Sequence, residues 1–582
     1  MIDWSTVKSL EKPNYYLLNP NLQALAAKYI SKEDDEIIPE MLKTIGQITG
    51  NLAKTAKEND EKGCRLIDGY TVELSEGMQK SLEHIIQTGL IGATIKDYGL
   101  GLSHILKIAS EIMLAEADTA VSLTPMLTGG VARIIELFGT EEQKEKYLPG
   151  LCLIPEKPED VKNAYTGAMV MTEPDAGSDL GNIKTKAVKN GNYYEIFGTK
   201  TFITNPQSDI LLVLARTEKG AKGLGGLSLF IVPKEVYGEL NKYKITRLEQ
   251  KLGLRGSPTG EMLFEGAIGY LIGIIKERAK KDSQEMEEIG EGFKIMVNLV
   301  NESRLGIAAQ ALGIAERAYL EAATYSTERI TFGKQIIEHP AVAEMLATMR
   351  VNIEAYSAVV FRNAHFIDKI NETDKTDKQK YKALIRILTP LCKYVCSEMS
   401  IRIAKDAVQI HGGYGYVKEY NVERLLRDAP ITTIYEGTSE IMVLDVLRTM
   451  KTEQSLLYLM DDIDETLATV EDSCLKELGE IIKEEINNAR SLINTAGIGP
   501  LHPTGFDQAY AKELANKLMN VYASTLLLQE AQEQLPDKRK MRIAQLFISK
   551  NLIAAKQYPN ISLDIKIPAY YNAIINYGKI ED

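Results

Sequence analysis

TKAVKNGNYYEIFGTKTFIT, residues 185–204, sets branched and aromatic residues on both sides of Asn190-Gly191-Asn192. Asn-Gly between such runs predicts a β-hairpin, because turns with positive φ match the twist of paired strands. Four more short runs, bounded by Gly, Asn or Pro, surround it: TGAMVMTE (166–173), DILLVLART (209–217), GLSLFIVP (226–233) and TGEMLFEG (259–266). Together they predict a small antiparallel β domain. On either side the texture turns helical. NLQALAAKYI (21–30), EIIPEMLKTIGQITGNLAKTAK (36–57), SLEHIIQTGLIGA (81–93), SHILKIASEIMLAEADTAVSL (103–123) and GGVARIIELFG (129–139) repeat apolar residues at helical spacing. TEEQKEKYLPGL (140–151) adds Thr140 as an N-cap with acids in its first turn.

Beyond the strands, four helical patterns at 298–330, 341–367, 382–412 and 439–451 have the length and number of a four-helix bundle. Residues 452–582 add helical stretches broken at GIGPLHPTG (497–505) and ending near YPNISLDIKIPAYY (558–571). The predicted fold class is α+β multidomain. An N-terminal α-helical domain (1–164) precedes a middle antiparallel β domain (165–280), a C-terminal four-helix bundle (281–451) and an extra C-terminal helical domain (452–582).

The 582 residues are 45% hydrophobic and 25% charged, which suits a folded soluble chain and excludes a disordered one. A net charge of −12 argues against nucleic acid or anionic lipid as the main partner, since both need a positive field. Five cysteines are too few and too scattered for a disulfide framework and fit a reducing compartment. The opening MIDWSTVKSLEKPNYY lacks the apolar core of a signal peptide. ILLVLA (210–215) and IGYLIGII (268–275) fall short of the roughly 18 residues that cross a bilayer. A cytoplasmic location is the expectation.

Two segments carry chemistry. MTEPDAGSDLGN (171–182) ends a strand and turns sharply at Pro174-Asp175, with hydroxyls at Thr172 and Ser178 and a bare backbone at Gly177. Such a string suits a flat polar heterocycle that needs main-chain and side-chain hydrogen bonds; an ordinary polar turn is the alternative. QIHGGYGYVKEYNVERLLRDAPITTIYEGTSEI (409–441) breaks a helix with Gly412, Gly413 and Gly415 and places Glu436 between Tyr435 and Gly437. A carboxylate in an apolar cavity has its charged form disfavoured and becomes a stronger base. The alternative is that Glu436 merely stabilises the N-terminus of the helix beginning near Ser439.

MTEPDAGSDL and QIHGGYGYVKEYNVERLLRDAPITTIYEGT are similar to the two signatures of the acyl-CoA dehydrogenase flavoprotein family, in its larger type with an additional C-terminal helical domain. Supporting pieces follow in order: LFGTEEQKEKYLPGL (137–151), GTKTFITN (198–205), KLGLRGSPT (251–259), SRLGIAAQALGIAERA (303–318) and ERITFGKQIIEHP (328–340). The resemblance spans about 20–450. It implies FAD held between the β domain and the bundle, with a second subunit reaching the dinucleotide.

By position, Met171, Thr172, Ser178, Phe202 and Thr204 would line the isoalloxazine. Arg329, Thr331, Phe332, Gln409, Gly412 and Gly413 would serve the dinucleotide, with Thr438 and Glu440 touching the cofactor. Ser178, Asn301, Arg304 and Gly437 would meet the substrate. The implied reaction is α,β-dehydrogenation of an acyl-CoA thioester, with Glu436 taking the α proton and flavin N5 the β hydride. An electron-transfer flavoprotein would receive the electrons, and a homodimer or homotetramer is implied. Some relatives carry the base on the long bundle helix. Here that position is Ser303, and Glu302 is rotated about 100° around the helix axis. Phe202 stands where the family has tryptophan, Pro340 where glutamine is common, and Glu440 where an amide is common. An acyl-CoA oxidase or an enoyl-CoA reductase on the same scaffold is the rival reading.

Other features read as structural. Cys392 and Cys396 share a helix face with no histidine at ligand spacing, so they are assigned to the core, and no metal site is expected. KGAKGLGGLS (219–228) lacks the Gly-Lys-Ser/Thr ending of a phosphate loop and is assigned to a hairpin connection. His411 is assigned to buried packing at the helix break. The basic amphipathic run at 538–556 sits in a tail, residues 451–582, with 14 basic and 19 acidic residues, which favours packing on the bundle over lipid.

Overall fold

The computed structural model describes residues 13–30, 37–279, 286–370, 373, 375–452, 454–495, 508, 510–553 and 573–578. The break expected at 497–505, the ending at 558–571 and the first twelve residues lie outside the described residues. The chain divides into two compact units. One contains Leu52–Ser103 and Asp118–Gly306; the other contains the described residues up to Asn51, His104–Ala117, and those from Ile307 onward.

The first unit is organised by the expected hairpin. Strands β1 (Gly167–Val170), β2 (Lys186–Asn190), β3 (Tyr193–Thr204), β4 (Ile210–Thr217), β5 (Leu227–Pro233), β6 (Tyr243–Leu248) and β7 (Thr259–Ile272) form one sheet. Asn190 pairs with Tyr193 across the two-residue turn, where Gly191 takes φ +60°. The long β7 pairs first with β3 and then, from Tyr270, with β5. Because β5 also pairs with β4, and β4 with β2, the strands β7-β3-β2-β4-β5 close on themselves. The pairing is antiparallel as expected, with two parallel additions, β1 and β2 each beside β4. The ILLVLA run is that central strand, buried on both faces, which is why it reads as continuous apolar sequence. KGAKGLGGLS connects β4 to its antiparallel neighbour β5, as assigned.

Two helices were expected around 103–139 with a gap near Pro125; one helix, His104–Phe138, runs through that proline and departs from helical backbone at Asp118 instead (φ −155°, ψ 105°). The Asp118 carboxylate accounts for the break: it accepts the Ala120 and Asn59 N–H groups, each at 3.0 Å, and so competes with helical bonding. This helix is long and apolar enough to cross a membrane by composition, yet 72% of its most apolar window is buried inside the protein.

In the second unit α1 (Gly292–Glu328, here from Ile307), α2 (Pro340–Lys369), α3 (Lys375–His411) and α4 (Ser439–Thr452) make the bundle. The extension supplies α5 (Ser455–Leu467), α6 (Ser473–Thr495), α7 (Ala511–Gln534) and α8 (Arg539–Asn551), and both α7 and α8 pack on α2. The central helix α2 is buried almost throughout from Leu346 to Phe366. The basic run is indeed packed inward: Ile543, Leu546 and Phe547 of α8 are buried, and Phe547 meets Tyr356 edge-on at 5.6 Å.

Charges bind the two layers. Glu354, fully buried on α2, takes Arg539 at 2.6 Å and Lys540 at 2.8 Å. Lys540 also reaches Glu530 at 2.7 Å and Asn21 at 2.8 Å. Arg350 pairs with Glu316 and donates to the Tyr577 hydroxyl at 2.6 Å. A second junction joins Arg362, Asp462 and the Tyr522 hydroxyl. Burial alone would push the Glu354 carboxyl up, but Arg539 and Lys540 overcome it and hold it down at about 2.

Glu354→Ala leaves the buried Arg539 without its carboxylate and Lys540 with Glu530 as its remaining acidic partner, and should cost about 3–5 kcal/mol, read from the midpoint of urea unfolding. The folded carboxyl titrates at about 2 and the unfolded one near 4.5, so its contribution is complete above pH 4.5 and disappears as pH falls toward 2. The acid limb of a pH–stability curve should flatten in the variant.

Candidate active site

In the first unit the segment 171–178 is held from beneath. Glu173 and Ala176 exchange backbone hydrogen bonds of 3.1 and 3.0 Å around Pro174-Asp175, which closes the turn. The Thr201 N–H of β3 donates to the Thr172 carbonyl at 2.9 Å. The fully buried Lys200 donates to the Met171 carbonyl at 2.8 Å and pairs with Glu173 at 3.0 Å. Glu173 also accepts the Lys184 and Thr185 N–H groups at 2.7 and 3.0 Å. Burial lowers the Lys200 ammonium to about 8 against the pull of Glu173. Above this support Thr172 is half-buried, Ser178 is exposed, and a side chain at Gly177 would meet nothing within 4 Å.

The β3 end is irregular at the expected positions. The register of β7 on β3 shifts between Gly260 and Met262, and Phe202 sits at φ +57° with 65% of its surface exposed. A bulge thus throws an aromatic ring outward beside the half-buried Thr204. Asn301 accepts from the Arg304 guanidinium at 3.0 Å, one helical turn apart. Ser303, in the position where some relatives carry a base, is buried and donates to the Leu299 carbonyl at 2.8 Å.

In the helical unit Arg329, Thr331, Gly412 and Gly413 line one cavity of about 820 Å³. Its walls include an aromatic cluster that was not foreseen as a site. Tyr325 stacks on His411 with centroids 4.3 Å apart, and Tyr420 stands edge-on to Tyr325 and tilted against Tyr414. His411 is buried as assigned, with Nδ1 2.8 Å from the Ala407 carbonyl, and burial lowers its pKa. Gly412 takes φ +61°, and a Cβ at either Gly412 or Gly413 would project into open space. Flat rings, a guanidinium and bare glycine backbone fit the adenosine and diphosphate parts of a dinucleotide, so the residues present suit FAD. Phe332 and Gln409 do not line this cavity. Phe332 is 96% exposed at the tip of the turn joining Ile330–Thr331 to Lys334–Gln335, and Gln409 is exposed on α3.

Glu436 lies in the turn ahead of α4, half-buried, with φ +56°, followed by Gly437 at φ +113°. The cap of α4 comes from Thr438, whose hydroxyl accepts the Ile441 N–H at 3.4 Å. The preceding Tyr435 donates its hydroxyl to Gln310 on α1, and the Lys393 ammonium of α3 donates to the Gly437 carbonyl at 2.5 Å. Glu440 pairs with Lys512 of the extension, which holds its carboxyl below the usual range. Cys392 and Cys396 are buried free thiols, and no metal-binding cluster occurs among the described residues. Lys200, Glu173 and Lys393 were missed because a charge within an apolar pattern reads as a solvated face.

A closed β unit with a supported polar turn, and a helical unit with a tyrosine-walled cavity, are the two features that comparison with known flavin-dependent oxidoreductases explains. Residues 67–153, 168–267 and 290–451 match the N-terminal, middle and C-terminal domains of acyl-CoA dehydrogenase. The 3-methylmercaptopropionyl-CoA dehydrogenase of Ruegeria pomeroyi is 33% identical over 430 residues, 70% of this chain and 69% of that protein. A subunit of the caffeyl-CoA reductase–Etf complex of Acetobacterium woodii is 35% identical over 63% of this chain and 89% of its own. The structure of Caenorhabditis elegans ACDH-11 in complex with C11-CoA shares the fold, with a TM-score of 0.82 and 22% identity over 96% of this chain and 95% of that one. The chain belongs to the acyl-CoA dehydrogenase family, with a helical extension beyond the three matched domains. FAD is the cofactor of that family.

Lys200→Met leaves Glu173 buried without its cation and should lower stability by about 3 kcal/mol, read as a fall in thermal midpoint. Lys184→Met removes only the exposed, solvent-screened pair with Asp175 and should leave the thermal midpoint essentially unchanged.

Proposed function

We propose that this enzyme removes two hydrogens from the α and β carbons of an acyl-CoA thioester, giving the trans-2-enoyl-CoA, with Glu436 as the base. The observation that carries the reading is the glutamate on a left-handed, glycine-followed turn, fastened by neighbouring helices on both sides. Thr172, Ser178, Phe202 and Thr204 would hold the isoalloxazine, and Arg329, Thr331, Gly412 and Gly413 the dinucleotide. FAD, when bound, supplies the two-electron acceptor for the β hydrogen.

The chain's own contribution is to align and deprotonate. An α C–H beside a thioester is a weak acid, so negative charge developing on the carbonyl oxygen needs a donor, and the Glu436 N–H is the group assigned to it. The Glu436 carboxylate accepts the α proton, and the fixed turn keeps it from the many rotamers a glutamate on a free loop would sample. Ser178, Asn301, Arg304 and Gly437 are assigned to the substrate on resemblance. An electron-transfer flavoprotein as electron acceptor is supported by the Acetobacterium relative's membership of an Etf complex. A homo-oligomer and a cytoplasmic location complete the proposal, the latter supported by five cysteines that are all free thiols.

A second reading, reduction of an enoyl-CoA, is favoured by the name of that same relative. It needs no other residues, because the base that accepts the α proton in one direction donates it in the other. The reduction potential of the substrate-bound flavin separates the two directions.

Glu436→Gln should keep FAD and ligand affinity while anaerobic flavin bleaching by acyl-CoA slows roughly 10²–10⁴-fold. Near-normal bleaching by the variant, or a wild-type flavin that no acyl-CoA in a straight, branched and aromatic panel can bleach, would overturn the assignment. Arg329→Ala should weaken FAD binding about ten- to hundredfold, measured by flavin fluorescence on dilution.

A further inference from the structure

Lys393 is an unusual residue for the middle of a bundle helix. It has no exposed surface, lies between the buried Cys392 and the buried Tyr394, and carries an ammonium into the protein interior. Burying such a charge is expensive unless its donors are used, and one of them is spent on a peptide carbonyl: Gly437 O, at 2.5 Å. Gly437 is the residue after Glu436.

The same side of α3 makes further contacts with the segment. Ser397, one helical turn on from Lys393, donates to the Thr432 carbonyl at 2.9 Å, and Glu398 accepts from the Ser439 hydroxyl at 2.7 Å. From α1, Gln310 takes the Tyr435 hydroxyl. Tethers therefore fall at 432, 435, 437 and 439, and the left-handed residue stands inside them. A non-glycine residue at positive φ costs about 1–2 kcal/mol and persists only where its surroundings dictate it. Of these tethers the lysine is the cationic one, and it acts on the Gly437–Thr438 peptide, one residue beyond Glu436. Because that peptide is planar and trans, drawing its carbonyl toward Lys393 turns the Thr438 N–H the opposite way and fixes where the turn leads.

We propose that Lys393 is a positioning residue for the reaction: its ammonium, by holding the Gly437 carbonyl, keeps the Glu436 backbone in its left-handed state and the carboxylate aimed at the carbon it deprotonates. This rests on Glu436 being the base. The lysine touches neither substrate nor cofactor in this role, so its loss separates binding from chemistry.

The test uses holoenzyme and three variants. Lys393→Met keeps the apolar stem and removes the donors. Its rate constant for anaerobic flavin bleaching should fall by about tenfold or more, since small misplacements of a reacting group carry large penalties. FAD content should be unchanged, and affinity for a non-reactive thioether analogue of the acyl-CoA should stay within about threefold. Lys405→Met, on the exposed face of the same helix, should match wild type in all three measurements.

Glu436→Gln is run in parallel. Bleaching that survives in Glu436→Gln overturns the base and the positioning role together. Bleaching that Glu436→Gln abolishes but Lys393→Met leaves intact overturns the role of Lys393 alone. A parallel loss of analogue affinity and rate in Lys393→Met also overturns it, because that marks general disorder of the site. If Lys393→Met fails to assemble with flavin, Lys393→Ala with added ethylamine replaces it. A saturable recovery of bleaching by the amine, absent with propanol, supports the assignment, and no recovery overturns it.

Discussion

A glutamate backbone in the left-handed region is the costly feature around which the helical unit is arranged. At φ +56° Glu436 gives up about 1–2 kcal/mol relative to ordinary backbone, and the residue after it adopts φ +113°, open in practice only to glycine. The compensation comes from elements remote in sequence: α1 through Gln310, and α3 through Lys393, Ser397 and Glu398. The bundle helices thus do more than shelter a core. They hold a short turn in a conformation it would not choose alone.

The β unit solves a similar problem by similar means. Its polar turn at 171–178 would be an ordinary loop were it not for Lys200, buried in β3, which donates to the Met171 carbonyl and neutralises Glu173. In both units a lysine without solvent exposure is spent on a main-chain carbonyl next to a residue assigned to chemistry. A lysine suits this task better than a serine or an amide. Its long stem reaches across a layer of packing, and its charge strengthens the bond where water is excluded.

Much of this architecture is legible in the residues themselves. Asn190-Gly191-Asn192 marks its hairpin because turn chemistry is local, and helical periodicity locates the bundle for the same reason. The parallel placement of β1 and β2 beside β4 is not legible, since it depends on closure of the sheet through β5 and β7. The runs 103–123 and 129–139 read as two helices, yet the backbone departs from helix at Asp118 instead, because its partner Asn59 comes from a distant segment. Arg329, Thr331, Gly412 and Gly413, all expected at the dinucleotide, line one cavity, and the stacked tyrosines around them carry no signal in the sequence. Tyrosines at helical spacing look the same whether they fill a core or wall a cavity. The buried lysines are the hardest case, since only three-dimensional packing distinguishes them from charges on a solvated face.

The junction at Glu354 also has a bearing on how the protein is made. Its carboxylate is synthesised 185 residues before Arg539. At roughly 5–20 residues per second a ribosome needs some 10–40 s to cover that distance. Throughout that interval α2 must keep an acid hydrated that the finished molecule leaves dry. The inner helix of the bundle therefore acquires its charge partners only after α8 has been made, so a later segment completes a helix begun long before.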